Sequence, residues 1–288
     1  MDYFVHIAIL IGIYSILAVS LNLIVGYTGL LSVTQAAFYG IGAYVTAILL
    51  TSFGVNFFFS IIAGMIITGL CSLAIGYVLS KFDGDYFALG SFGFNIIVYS
   101  IFLNWQSLTR GPLGIPGISK PVLFGLDFGN NFIFLILVII LAVVVYFLAQ
   151  FITRSSFGRV LKAIREDEKA IQVFGYNTLY FKLTIFVIGA MIASIAGALF
   201  ASYITYVDPT SFALSESIFI LAIIILGGLA NNKGAVLGAV CLVILPEALR
   251  FVGFPSDIAA QMRQVTYGLI LVLLMLYRPE GLMGEYKL

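Results

Sequence analysis

Charge is what this sequence has least of. Of 288 residues only 14 are Lys or Arg and 13 are Asp or Glu, or 9%, where a soluble domain carries about 25%. A soluble chain of this length must clothe its surface in polar groups, whereas a bilayer asks for none, so a cytosolic enzyme is excluded. The net charge of +1 supplies no general attraction to nucleic acid, and none is expected as a partner. The two cysteines, Cys71 and Cys241, lie far apart in apolar stretches. They read as buried small hydrophobes rather than a disulfide, and two are too few for a structural zinc site. The single histidine, His6, stands at the start of an apolar run with no partner nearby in sequence and reads as an interfacial polar residue. A phosphate-cradling GxxxxGK[ST] loop and a metal-spaced His/Cys cluster are both missing. Alternation of period two, which an outer-membrane barrel requires, is missing as well.

Apolar length is what the sequence has in abundance. Hydrophobic residues make up 62%, and the 29 glycines suit membrane helices that approach closely through small side chains. A spanning helix needs about 20 mostly apolar residues. Candidate segments cover 4–24, 31–50, 57–79, 86–103, 132–151, 183–206, 218–229, 235–249 and 265–277. The fold class is therefore an all-α polytopic membrane protein of about eight to ten helices, read as a single transmembrane domain over 1–288. The two short segments around Asn231 are joined by Gly227, Gly228, Asn231, Asn232 and Gly234, the composition of a broken or re-entrant pair, and the segment after Gly29 is open to the same reading. Asp2, the lack of a basic residue before the first apolar run and the lack of a small-x-small site after it predict a retained first helix rather than a signal peptide.

Orientation follows from where the few basic residues sit. The connection 153–182 holds Arg154, Arg159, Lys162, Arg165, Lys169 and Lys182, six of the 14, and is expected to be cytoplasmic. Counting spans from it puts Lys81, Lys233, Arg278 and Lys287 on the same side. Asp208 and Glu216 fall outside with the N-terminus, and the C-terminus lies inside. Arg110, Lys120, Arg250 and Arg263 land externally but are scattered.

Within that connection, GRVLKAIREDEKAIQVFGYN from Gly158 reads as one short amphipathic helix. Leu161, Ile164 and Ile171 recur at helical spacing, charged residues fill the other face, and Gly175 stops it. From pattern alone, its apolar residues could anchor it in a groove of a soluble partner or on its own membrane.

The run from Gly158 to Gly175 resembles the cytoplasmic coupling loop of ABC-importer permeases, specifically the LivM-type permeases of branched-chain amino acid transporters. The likeness continues along the chain. GYTGLLSVTQAAFYGIGAY resembles that family's glycine-rich second segment, and YFALGSFGFN with NWQSLTRGPLGIPGI its middle region. YVDPTSFALSESI, LGGLANNKGAVLGA, LPEALR and LYRPEGLMG resemble later blocks in family order. Two departures stand out. In the permease pattern of Glu, two small residues, three others and Gly, Lys169 precedes Ala170 and Ile171 replaces the second small residue, although Gly175 keeps its spacing. Asn231 and Asn232 stand where small or serine residues are more usual.

The resemblance implies a transport subunit of a prokaryotic inner or plasma membrane that catalyses no reaction and binds no cofactor. It implies a second homologous permease, two cytoplasmic ATP-binding subunits that use the ATP, an extracytoplasmic substrate-binding protein, and lipid as surroundings. It implies coupling to the ATPase through Arg159, Lys162, Ala163, Arg165, Glu166, Asp167, Glu168, Ala170 and Gly175. Asp208 and Glu216 are then either contacts for the binding protein or solvated loop charges. Polar residues within spans, Asn22, Thr34, Gln35, Ser91, Asn95, Ser194 and Ser202, are candidates for the pathway, each equally able to serve as a helix-to-helix hydrogen bond. The scarcity of charge deep in the spans suits an aliphatic substrate. Urea or another small solute is the alternative within the family, and an ion-gradient-driven transporter the alternative outside it. The latter would need paired ionisable residues in mid-span, and Glu247 with Arg250 comes nearest. A membrane-embedded enzyme would need a convergent nucleophile, base or metal set that is not seen. Gly29, Gly40, Gly42 and Ala43 parallel Gly228, Gly234, Gly238 and Ala239, either as duplicated halves or as a coincidence of glycine-rich helices.

Overall fold

The computed structural model describes residues 2–82, 84–123, 126–250, 265, 268–269 and 281–284, with backbone alone at 122–123, 126–127 and 246–250. The segment 265–277 and the residues Arg263, Arg278 and Lys287 fall wholly or mostly outside them, as do the side chains of Glu247 and Arg250. Among the described residues six helices are long and apolar enough to cross a membrane. They are α1 (Asp2–Leu21), extended by a π-helical turn (Asn22–Gly26); α2 (Gln35–Ser52); α3 (Phe57–Leu79); α4 (Asp85–Asn104), followed by the single turn α5 (Gln106–Thr109); α6 (Asn131–Arg154); and α9 (Thr178–Ile204). The connection between α6 and α9 carries α7 (Ser156–Glu166) and α8 (Glu168–Val173). A further pair, α10 (Leu214–Gly227) and α11 (Asn232–Arg250), is bent by 119° at its break, the interruption that the glycines and asparagines predict. Residues 29–34 are not helical, so α2 begins four residues later than the apolar run, at Gln35.

Side-chain caps punctuate this order. Asn56 accepts from the amide of Phe58 at the start of α3, and Asn130 from that of Phe132 at the start of α6. Asn177 accepts from the amide of Tyr180 at the start of α9. Each satisfies a donor that the helix itself leaves open, worth about 1 kcal/mol.

The core is built where backbones meet. Helix α9 packs chiefly on α2 and α3, and α1 is enclosed by α6, α9 and α11. A Cβ at Gly42 would stand 2.5 Å from the Ser194 backbone, and one at Gly197 would stand 2.1 Å from the Tyr39 carbonyl, so α2 and α9 touch main chain to main chain. Around this contact Tyr39, Tyr44, Phe102, Phe200 and Phe212 interlock with ring centroids 4.4–6.2 Å apart. The outer helices differ. Along α6 the row Ile136, Ile139, Ile140, Val143, Val144, Phe147 and Phe151 faces outward, as do Ile62, Ile66, Leu70 and Leu73 on α3. Such surfaces suit hydrocarbon. Cys71 and Cys241 lie on this outward surface, free and exposed. The expectation of burial is corrected: in a bilayer an apolar stretch need not turn inward.

The two ends of the bundle carry different material. Lys81, Arg165, Lys169 and Lys182 line one cleft at the start of α9. At the other end the strand pair β1 (Ile115–Pro116) and β2 (Tyr206–Val207) ties the α5–α6 connection to the end of α9. The expected loop residue Glu216 lies instead in the first turn of α10, where it accepts a 2.6 Å hydrogen bond from Tyr14 of α1. Asp208 remains in the connection and shapes it, accepting from the amide of Thr210 and the hydroxyl of Ser211. His6 lies within hydrogen-bond distance of the Tyr203 hydroxyl, Nδ1 to Oη 2.7 Å, a partner almost two hundred residues away.

Candidate functional site

The charged connection is two helices rather than one. At Asp167 the backbone is extended (φ −152°, ψ 100°), ending α7, and its carboxylate accepts from the amide of Ala170 at 3.0 Å to start α8. An Asp three residues before a free amide is a capping signal that periodicity alone overlooks. Upstream, Ser155 caps α7 through the amide of Gly158. Downstream, Gly175 turns the chain at φ +86°, where its freedom to adopt the left-handed region is required.

The two helices sit differently. Leu161 and Ile164 of α7 are buried against the chain's own helices rather than offered outward. Lys162 lies over the Tyr27 ring at 5.5 Å, and the Arg165 guanidinium donates to the Gly26 carbonyl. None of the residues of α8 is buried, and at its end, just before the turn, Val173 and Phe174 are 87% and 78% exposed. Among the other residues singled out by resemblance, Ala163 offers its carbonyl to the Asp167 amide, and Glu166 is exposed. Arg159 donates to Ser156, and Glu168 is paired with Lys182. The cleft between α7–α8 and the membrane helices encloses about 920 Å3 and is lined by four basic and four acidic side chains.

The membrane helices beneath α7 are interrupted twice. The π-helical turn Asn22–Gly26 widens the end of the first span. Asn22 reaches the break between α10 and α11, where its Oδ1 accepts from the Ala230 amide at 3.0 Å and its Nδ2 donates to Asn232 at 3.2 Å. The backbone donor fixes which way this amide points. Ala230 itself is left-handed at φ +59°. From the other side the segment 281–283 closes the break. The amides of Leu282 and Met283 bond the carbonyls of Leu226 and Gly227, and Asn231 donates to Met283. Asn231 and Asn232 thus do what small residues in those places could not: each bonds a distant segment.

The polar residues singled out within the spans, Asn22, Thr34, Gln35, Ser91, Asn95, Ser194 and Ser202, are all buried within the chain. Ser91 accepts from the Val33 amide, and Asn95 donates to the Val33 carbonyl and to Ser217, which accepts from the Ala36 amide. Thr34 meets Ser32, and Gln35 donates to Ser20. Ser194 lies under Gly42 and Gly64. Gln35 Oε1, Asn95 Oδ1, Ser194 Oγ and Ser202 Oγ have no hydrogen-bond partner among the described residues. Sequence reasoning missed Ser217, the hub of this network, because it stands at the head of an apolar run, and it missed Val173 and Phe174 because they look like the end of an amphipathic face. Among the described residues no group of His, Cys, Asp and Glu could hold a metal ion.

Comparison with known proteins settles the family. Residues 3–277 match the family model described as branched-chain amino acid transport system, permease component. The chain belongs to that family. It is 36% identical to the high-affinity branched-chain amino acid transport system permease protein LivM of Salmonella typhimurium, over 97% of this chain and 69% of that protein. It is 26% identical to a probable LivM of Methanocaldococcus jannaschii (95% and 91% covered) and 27% identical to the permease LivH of Salmonella typhimurium (94% and 91%). No solved structure matches the permease.

Proposed function

We propose that this permease is the membrane-spanning subunit of an ATP-driven importer of branched-chain amino acids in a prokaryotic cell membrane. The observation that carries the reading is the corner at Val173–Phe174: two large apolar side chains held in the open by a loop whose other helix is fastened to the bundle. Exposed apolar anchors on a rigid mount are what a partner's groove requires. The partners are two cytoplasmic ATP-binding subunits, a second permease and an extracytoplasmic binding protein. One organism's LivM and LivH both resemble this chain, which supports a pair of related permeases.

In this reading the loop 153–182 faces the cytoplasm with the C-terminus, and the N-terminus lies outside. Domain 1–288 is one permease unit. Glu166, Lys169 and Arg159 surround the docked corner with charge, while Asp167, Ala170 and Gly175 shape it. The pathway draws on Asn22, Thr34, Gln35, Ser91, Asn95, Ser194 and Ser202. The support for this is that several of their oxygens are buried without a partner, which a packed interior tolerates poorly unless another state of the protein uses them.

Purification of the tagged chain from its native membrane in mild detergent tests the reading. The expected result is co-recovery of a second permease and ATP-hydrolysing subunits, and ATP-dependent leucine uptake after reconstitution with the binding protein. Recovery of the chain alone, with uptake driven by an ion gradient, would overturn it.

A further inference from the structure

We infer that Arg165 is the residue through which movement of the charged loop reaches the membrane helices, by way of the π-helical turn and Asn22. The inference rests on the proposed importer function and adds a positioning role inside this chain. The carbonyls at the end of the first span account for themselves one by one. That of Ile24 accepts from the Thr28 hydroxyl, that of Val25 from the Gly29 amide, and that of Gly26 from the Arg165 guanidinium. A cation at a helix C-terminus makes a charge-assisted bond, and the planar guanidinium holds its direction as an ammonium does not. The Arg165 stem also lies 3.1 Å from where a Cβ of Gly29 would stand, at φ +74°, so the turn after the span is moulded to this side chain.

Four residues back along the same π-helical turn, Asn22 holds the break between α10 and α11 through both ends of its amide. Gly26 leaves the room for this, because a Cβ there would stand 2.7 Å from the Ala230 nitrogen and closer still to Asn22 Oδ1. A contiguous chain of bonds therefore runs from α7 through Arg165, Gly26 and Asn22 to Ala230. Its middle member is a π-helical turn, a rare form found frequently at functional sites. A shift of α7 relative to the bundle must move Gly26 or break its bond to Arg165, and either event changes what Asn22 offers the break.

The test compares Arg165→Ala, Arg165→Lys, Asn22→Ala and the double variant Arg165→Ala/Asn22→Ala, each assembled with its partners in proteoliposomes. Three quantities are read: ATPase subunits recovered per permease, ATP hydrolysis, and leucine taken up per ATP. Expected are full recovery of the subunits, hydrolysis within about twofold of wild type, and uptake per ATP down about tenfold in Arg165→Ala and Asn22→Ala. The double variant should be no worse than either single one, and Arg165→Lys should be intermediate. Wild-type uptake per ATP in Arg165→Ala, losses that simply multiply in the double variant, or loss of the ATPase subunits would overturn the inference, the last by making Arg165 a docking residue. If Arg165→Ala fails to insert, Arg165→Lys and Asn22→Ala decide: unchanged uptake per ATP in both refutes it. Wild-type protein that recovers no ATPase subunit refutes the importer reading instead.

Discussion

Helices α7 and α8 lie side by side in one loop, share its charge and its periodicity, and are separated by a single residue, yet they face opposite ways. On α7 the apolar residues Leu161 and Ile164 are inside the protein and the cations Lys162 and Arg165 grip the end of the first span. On α8 nothing is buried, and its apolar residues lead to a bare corner. An amphipathic pattern shows that a helix has two faces, but which body each face meets depends on what lies beside it. Here the first helix is packed into the permease and the second is left uncovered.

The sharpest way to break the comparison is to spoil each helix in turn. Leu161→Asp puts a carboxylate among apolar side chains, at a cost of about 3 kcal/mol or more. The loop should come off the bundle, seen as rapid tryptic cleavage at Arg159 and a lower melting temperature in detergent, with uptake lost. Val173→Asp/Phe174→Asp should leave insertion, cleavage and melting as in wild type while weakening recovery of the ATPase subunits about a hundredfold, since two exposed anchors are each worth about 1–2 kcal/mol at an interface. Equal loss of thermal stability in both variants would show that the two helices are not divided as the structure has them.

Much of the architecture was legible in composition and spacing. The long apolar runs, the interruption around Asn231 and the concentration of cations on one loop stand in the structure, and the family likeness stands in the comparison with known proteins. What escaped was whatever depends on a distant neighbour. Periodicity ran one helix through Asp167 because it weighs hydrophobicity and not capping. Cys71 reads inward because apolar stretches are usually interior in water, and Glu216 reads as a loop charge because its partner, Tyr14, lies some two hundred residues away. The join between Arg165 and Gly26 is of the same kind: both residues are conspicuous in the sequence, and only the fold brings them together.

Smaller effects refine the division between the helices rather than test it. Asp167→Ala removes the cap that separates α7 from α8 and should cost about 1 kcal/mol locally, with Asp167→Ser recovering most of it. Uptake should fall severalfold with α7 still protected from trypsin, since only the mount of the corner is loosened. Smaller still is the pair of Glu168 with Lys182, which ties α8 to the start of α9. Both side chains are partly open to water, where such a pair contributes at most about 1 kcal/mol and salt screens it. Glu168→Gln should therefore lower uptake modestly at low ionic strength and converge on wild type as salt is raised. A deficit that persists in high salt would mean that Glu168 meets a partner across a dry interface, and that the line between the permease's own helix and its partner's runs one residue beyond Asp167 rather than nearer the exposed corner.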